Sequence, residues 1–129
     1  ALAAKAQARA DKCVRGHIDN DGLGENISYF PNTPKIPNLN TARTDAVKRW
    51  AKEVENYTHN TDTCAPGKQC GHYKQIVSRK TERVGCGMAL CKNQKDSPCK
   101  VTENDVEVPH DWITVVCKYE PSADGQTPY

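Results

Sequence analysis

The stretch CGHYKQIVS, residues 70–78, contains a histidine directly after a Cys-Gly pair. Residues 72–77 within it have β character, although the pattern is too short to exclude a helix. Further along the chain, residues 84–90 and 112–119 are rich in β-branched and aromatic side chains, so both predict β-strands. The second half of the chain therefore predicts a small sheet near this histidine.

The clearest helix is predicted upstream, over residues 41–57. Apolar side chains recur there at steps of three and four residues and form one stripe: Ala46, Val47, Trp50, Val54 and Tyr57. Glu53 lies on or beside that stripe. A carboxylate buried without a partner is costly, so Glu53 is expected to have hydrogen-bond or charge partners.

The remaining segments complete the pattern of a mixed protein. Residues 1–12 are alanine-rich and predict a helix, while residues 13–40 predict a loop because glycine and proline interrupt them repeatedly. Residues 92–111 predict a long polar connection. The alternation of helices and strands indicates an α+β protein or a three-layer αβα sandwich, and 129 residues fit one domain, residues 1–129.

Composition narrows the class of protein. Seven cysteines accompany only 36% hydrophobic residues, and the mean hydropathy is −0.80. A polar chain with so many cysteines indicates disulfides and secretion, since the CxxC and HxxxH spacings of zinc proteins are absent. The net charge is only +2, with both signs spread along the chain, which argues against a nucleic-acid binder. No apolar run approaches the roughly 18 residues of a membrane span.

Four groups of short motifs, in this order and spacing, resemble the CAP superfamily, the family of pathogenesis-related class 1, antigen 5 and cysteine-rich secretory proteins. They are Ala6-Gln7 through Cys13 to His17 with Gly24-Glu25-Asn26; Ala46-Val47 to Trp50 with Glu53 and Tyr57; Cys70 to Tyr73 with Gln75 to Val77 and Val84 to Cys86; and Val116-Cys117, Tyr119, Pro121 and the closing residues 125–129. The resemblance implies an αβα sandwich around a three- or four-stranded antiparallel sheet. The family domain opens with a further helix and short strand before the segment that matches Ala1, so this chain is expected to lack the first helix.

Two family motifs are altered here. The motif GHYTQxVW reads GHYKQIVS over residues 71–78, with Lys74 in place of threonine and Ser78 in place of tryptophan. The motif CNYxPxGN reads CKYEPSAD over residues 117–124. Some plant relatives release a signalling peptide from this last segment, and the replacement of Gly-Asn by Ala123-Asp124 weighs against that role.

The resemblance also implies a disulfide pattern, which the spacing of seven cysteines alone cannot select. Carried over position by position, the family pattern gives the bridges Cys13–Cys91, Cys64–Cys70 and Cys86–Cys117. Cys99 is then left free, or paired outside this chain.

The same resemblance implies a cleft with two histidines and two glutamates: His17, Glu25, Glu53 and His72. Two neutral imidazoles, His17 and His72, can ligate zinc or another divalent cation weakly, while Glu25 and Glu53 hold their second nitrogens or orient water. No cofactor is required. Two other interpretations stay open: a structural hydrogen-bond network, and a hydrolase in which metal-bound water or a glutamate base acts. The absence of an HExxH motif and of an evident Ser or Cys nucleophile weighs against the hydrolase, and so against any catalytic residue.

We therefore expect a secreted binding or effector module rather than an enzyme. The partners that the resemblance implies are a sterol, a fatty acid or an extracellular protein, in defence or host interaction; the alternatives are a metal-dependent hydrolase and a structural extracellular domain. Two glycosylation sequons begin at Asn26 and Asn56, and Asn56 is the better candidate because Asn26 lies beside the expected cleft.

Overall fold

A computed structural model describes residues 1–14, 16–17, 21–31, 39–92, 100–103, 106–109 and 111–123. Cys99 and the closing residues 124–129 lie outside the described residues. The elements follow one another as α1 (Leu2–Asp11), β1 (Gly24–Pro31), α2 (Leu39–Lys52), a 3₁₀ helix (Glu53–Asn56), β2 (Tyr57–Thr58), β3 (Thr63–Cys64), α3 (Gly71–Ile76), β4 (Arg83–Cys91), β5 (Lys100–Glu103), β6 (Val106–Pro109) and β7 (Trp112–Glu120). No helix in the described ranges is long and apolar enough to cross a membrane.

Three antiparallel strands form the main sheet, in the order β1-β7-β4. Strand β1 pairs with β7 from Gly24 opposite Tyr119 to Pro31 opposite Trp112, and β4 pairs with the other edge of β7 along its whole length. Eight of the nine residues of β7 are buried. This strand is covered on both edges and both faces, which explains its continuous run of β-branched and aromatic side chains.

Helices cover both faces of this sheet. On one face, α2 contributes Ala42, Ala46 and Trp50 to a cluster with side chains of β1 and β7. On the other face, Ala6 and Ala10 of α1 pack against Ile27 and Val116. The three-layer αβα arrangement and the α+β class are therefore confirmed.

Two glycines of β4 allow α1 to lie directly on the sheet. A Cβ atom at Gly85 would stand 2.3 Å from the backbone nitrogen of Ala3, and one at Gly87 would stand 2.5 Å from the Cα of Gln7. The Gln7 side chain uses this proximity: its Nε2 donates to the Met88 carbonyl at 2.7 Å, and its Oε1 accepts from the Met88 N–H at 3.2 Å. One side chain thus satisfies two backbone groups on an edge strand.

Three disulfides cross-link the described residues. Cys13–Cys91 joins the end of α1 to the end of β4, Cys86–Cys117 crosses between β4 and β7, and Cys64–Cys70 closes a short loop before α3. These are the pairs that the resemblance implied.

Several local expectations were wrong. Residues 72–77, whose pattern does not exclude a helix, belong mainly to helix α3 rather than to a strand, and β1 occupies part of the stretch expected to be a loop. Helix α2 ends at Lys52, before the expected end at residue 57, and the polar connection 92–111 contains the β5–β6 hairpin. Within the expected stripe, Val47 of α2 and Val54 of the 3₁₀ helix are 47% and 46% exposed, so the buried stripe is narrower than predicted.

Candidate functional site

The site lies along the outer edge of β1, the strand that pairs with β7 on one side only. Successive side chains of a strand point to opposite faces, so Glu25 shares the α1 face with Ile27, and Asn26 shares the α2 face with Phe30. Functional side chains therefore approach this edge from both faces of the sheet.

His17 approaches from the loop between α1 and β1. Its Nδ1 lies 2.6 Å from the Oε1 of Glu25. The histidine side chain is 64% exposed, whereas the Glu25 carboxylate beneath it is only 7% exposed. The exposed imidazole of His17 is thus held at Nδ1 by the nearly buried carboxylate of Glu25.

The loop that carries His17 is fastened to the body of the protein. The buried Arg9 guanidinium of α1 donates from Nη2 to the Val14 carbonyl at 2.8 Å and also to the Gly16 carbonyl. The Gly16 N–H donates to the Tyr29 hydroxyl at 2.7 Å. These bonds restrict the backbone beside His17 and so limit the positions open to its ring.

His72 approaches from the other face, near the start of α3. Its Nδ1 lies 2.7 Å from the Oε2 of Glu53, and the Tyr73 backbone N–H donates to the Oε1 of the same carboxylate at 3.0 Å. The ring stacks on Trp50, with centroids 5.9 Å apart and planes 16° apart. Glu53 therefore has the partners that its place beside the apolar stripe required.

Asn26 links this half of the site to the sheet. Its buried Nδ2 donates to the His72 carbonyl at 3.2 Å and to the Tyr119 hydroxyl at 3.1 Å. Burial raises the pKa of Tyr119 to about 12, although the Asn26 hydrogen bond acts in the opposite direction. An amide in this position is closed to glycosylation in the folded protein.

Both histidines line an open cleft of about 820 Å³. His17, Glu53 and His72 line it, while Glu25 lies beneath His17 and does not. Five charged side chains line the same cleft: Arg49, Lys52, Glu53, Glu55 and Lys68. Three of the four expected residues thus share one solvent-open surface, and the fourth supports it.

Comparison with known proteins shows the family. The model of the CAP family, described as the cysteine-rich secretory protein family, matches residues 1–119. This chain belongs to the CAP family. It is 38% identical over 131 residues to peptidase inhibitor 16 of Homo sapiens, which covers 99% of this chain and 25% of that protein. It is 39% identical over 117 residues to pathogenesis-related protein 1A1 of Solanum lycopersicum, covering 90% and 52% respectively. The chain thus spans about a quarter to a half of these curated relatives.

Solved structures show the CAP fold as well. The crystal structure of Na-ASP-1 superposes with a TM-score of 0.66 at 24% identity, covering 98% of this CAP chain and 29% of that one. The crystal structure of NaASP2 with Zn²⁺ superposes with a TM-score of 0.58 at 21% identity, covering 98% and 60%.

Donor chemistry at the CAP cleft fits a weak metal site. In each ring a carboxylate contacts Nδ1, so Nε2 is the nitrogen that could bind a ligand. Metal-binding histidines commonly have this arrangement. Across the part of the chain that the structure describes, no group of three or more His, Cys, Asp or Glu side chains could hold a metal ion. The two cleft side chains that could each offer a ring nitrogen to a metal ion are His17 and His72.

Sequence reasoning missed two charged residues of the site. Lys118 of β7 is 1% exposed, and its Nζ lies 2.5 Å from the Oε2 of Glu25 and 3.1 Å from the Oδ2 of Asp21. Burial would raise the pKa of Asp21, but the Leu23 N–H and the Lys118 ammonium outweigh it and lower that pKa. The available signal was a lysine inside an otherwise apolar strand, since such a charge needs partners.

Lys74 and Ser78 occupy two other altered motif positions. Lys74 lies 3.1 Å from the Oδ1 of Asp62, which also accepts from the Tyr57 hydroxyl at 2.7 Å. Ser78 is buried, and its hydroxyl has no hydrogen-bond partner among the described residues. Neither residue lines the cleft.

Proposed function

We propose that this chain is a secreted CAP-domain binding module whose cleft presents His17 and His72 to a divalent metal ion such as zinc. One observation carries the proposal: both imidazoles line one open cleft, and each has its Nδ1 held by a carboxylate. The Nε2 atoms remain for ligands.

The expected affinity follows from the number of ligands. Structural zinc sites use four protein ligands, and catalytic sites use three with one water. Two imidazoles with water completing the shell would bind zinc far more weakly than either. NaASP2, a protein of similar fold, has been crystallised with Zn²⁺, which supports the idea that this fold admits the ion.

Membership of a family of cysteine-rich secretory proteins supports the extracellular role, and the pathogenesis-related relatives support an effector role. A sterol or a fatty acid needs an apolar cavity, whereas five charged side chains line this cleft. We therefore favour a polar or protein partner at this cleft over a sterol or a fatty acid.

The hydrolase alternative receives less support from the geometry. A catalytic zinc normally has three protein ligands, and the described residues supply no such group. Ser78, the hydroxyl near the histidine motif in sequence, is buried and does not line the cleft. We therefore assign binding rather than catalysis to the two histidines.

Calorimetric titration with zinc tests the proposal. We expect weak binding by the parent, and a loss of at least about tenfold in affinity in His17→Ala and in His72→Ala, because each removes one of two ligands. His59→Ala is the matched control, since His59 is exposed and does not line the cleft. Near-ultraviolet circular dichroism checks that each variant keeps its fold.

Affinity should also fall as the pH is lowered, because protons compete with the metal for imidazole nitrogen. Unchanged zinc binding in both His17→Ala and His72→Ala would show that the cleft is not the metal site. The structural interpretation of the His/Glu network would then be favoured.

A further inference from the structure

Lys118 occupies an unusual place in the sheet. It lies directly opposite Glu25 in the β1–β7 register, and it is one of the largest fully buried side chains of the protein. The family motif resembled by residues 117–124 has asparagine at this position. A buried cation thus lies beside the carboxylate that holds His17.

A buried ammonium is retained only when carboxylates compensate it. Here two do so: Lys118 Nζ lies 2.5 Å from Glu25 Oε2 and 3.1 Å from Asp21 Oδ2. Asp21 belongs to the segment between His17 and β1, so the second contact also fastens the histidine loop to the sheet. Removal of the ammonium would leave a buried carboxylate and a loosened loop.

The carboxylate of Glu25 connects the lysine to the histidine. Its Oε2 faces Lys118, and its Oε1 lies 2.6 Å from the Nδ1 of His17. With one oxygen engaged by the ammonium, rotation of the carboxylate away from His17 would break a charge-assisted contact. The contact with Lys118 thus determines the direction in which Glu25 Oε1 points.

We propose that Lys118 is a positioning residue for His17: through Glu25 it fixes the tautomer with the proton on Nδ1 and turns Nε2 toward the cleft. The use of Nε2 for a metal rests on the proposed function above. The tautomer itself does not, because it follows from the contacts of Lys118, Glu25 and His17 alone.

The other histidine supplies an internal control. Glu53 is oriented by the Tyr73 backbone N–H rather than by a lysine, and its partner is His72. A change at Lys118 should therefore alter one imidazole and leave the other as it was. A general loosening of the fold would affect both.

Nuclear magnetic resonance of the imidazole nitrogens measures the tautomer of each ring directly. The spectra are recorded at about pH 8.5, where histidine is ordinarily neutral. In the parent we expect the Nδ1–H form of His17 to predominate. In Lys118→Asn we expect the ratio of Nδ1–H to Nε2–H to fall roughly tenfold, because the ion pair that holds Glu25 is lost, with His72 unchanged.

Lys118→Arg keeps the charge and should keep the Nδ1–H form. An unchanged ratio in folded Lys118→Asn, or equal changes in both histidines, would overturn the proposal. If Lys118→Asn does not fold, the parent and Lys118→Arg decide: the Nε2–H form of His17 in either refutes the proposal, and the Nδ1–H form in both supports it.

Zinc titration of the same samples separates the two proposals. A tautomer change in a protein that binds no zinc would retain the positioning role and reject the metal site. Zinc binding with no tautomer change in Lys118→Asn would reject the positioning role and retain the metal site.

Discussion

Replacement of Gly87 by alanine tests how closely α1 must lie on the sheet. The new Cβ would stand 2.5 Å from the Cα and 2.6 Å from the backbone nitrogen of Gln7. Ordinary contacts between carbon atoms lie at about 3.5–4.0 Å, so α1 would have to retreat by roughly 1 Å. That retreat would also withdraw the Gln7 side chain from both backbone groups of Met88.

Two contributions determine how much Gly87→Ala destabilises the protein. Overpacking of a well-packed interface costs about 1–3 kcal/mol, and each of the two lost hydrogen bonds about 1 kcal/mol. We therefore expect Gly87→Ala to lower the free energy of unfolding by about 3–5 kcal/mol. Gly71→Ala is the matched control: outside its own helix and chain neighbours, no described atom lies within 4 Å of its new Cβ. Because Gly71 begins α3, alanine there should stabilise by about 0.5–1 kcal/mol.

Urea unfolding followed by tryptophan fluorescence measures both variants, with the disulfides intact. Trp50 and Trp112 are both buried, so unfolding exposes both reporters to water. A loss below about 1 kcal/mol in Gly87→Ala would refute the reasoning. A loss in Gly71→Ala as large as that in Gly87→Ala would refute it too, because it would show that glycine itself matters rather than the contact.

Three further predictions follow from single contacts. The pKa of Tyr119 is raised to about 12, so its contribution to stability is full below about pH 10 and is lost as the pH rises through 12. Tyr119→Phe should therefore reduce the loss of unfolding free energy at alkaline pH, which urea unfolding at each pH measures. Expression in a glycosylating host should place a glycan on the half-exposed Asn56 and none on Asn26, which is 2% exposed. The intact masses of the single Asn→Gln variants show which site carries the glycan, and a glycan on Asn26 would contradict the buried amide. Conversion of both Cys13 and Cys91 to serine opens a loop of 78 positions and should cost ~4.5 kcal/mol by chain entropy; an unchanged urea midpoint would show that the bridge does not restrict the unfolded chain.

Strong periodic signals in the sequence predicted whole elements well. Strand β7 contains a continuous β-branched and aromatic run, and it is buried on both faces. Helix α2 was predicted, though with a later end, because Ala46 and Trp50 repeat at helical spacing; in the structure both face the sheet. Such signals persist because burial requires the same apolar spacing wherever the element packs.

Short or mixed segments were not predictable in the same way. Residues 71–76 carry too few apolar positions to distinguish a helix from a strand, and β1 begins with a glycine and ends with a proline that read as loop signals. Val47 and Val54 fit the apolar spacing, yet both are exposed in the folded protein. Only tertiary packing decides such cases.

The candidate site was predictable through the family resemblance, not through spacing. His17 and His72 are 55 positions apart, and only the folded sheet edge brings their carboxylate-held rings into one cleft. The family pattern could not indicate Lys118, because its motif has a different residue there. A lysine on an apolar strand is a local signal, but its partners across the sheet are visible only in three dimensions.

The position of β7 in the sheet has a consequence for biosynthesis. Both strands that pair with it, β1 and β4, precede it along the chain, so neither can form its sheet contacts until residues 112–120 have left the ribosome. Until then, the two edge strands and the apolar face of α2 have no strand to pack against in the nascent chain. Pairing β1 with β7 also requires closure of a loop of about 80 residues, which makes folding slow compared with that of a helical bundle. A chain that stops before Trp112 would therefore have no main sheet, and we expect it to depend on chaperones and to be degraded.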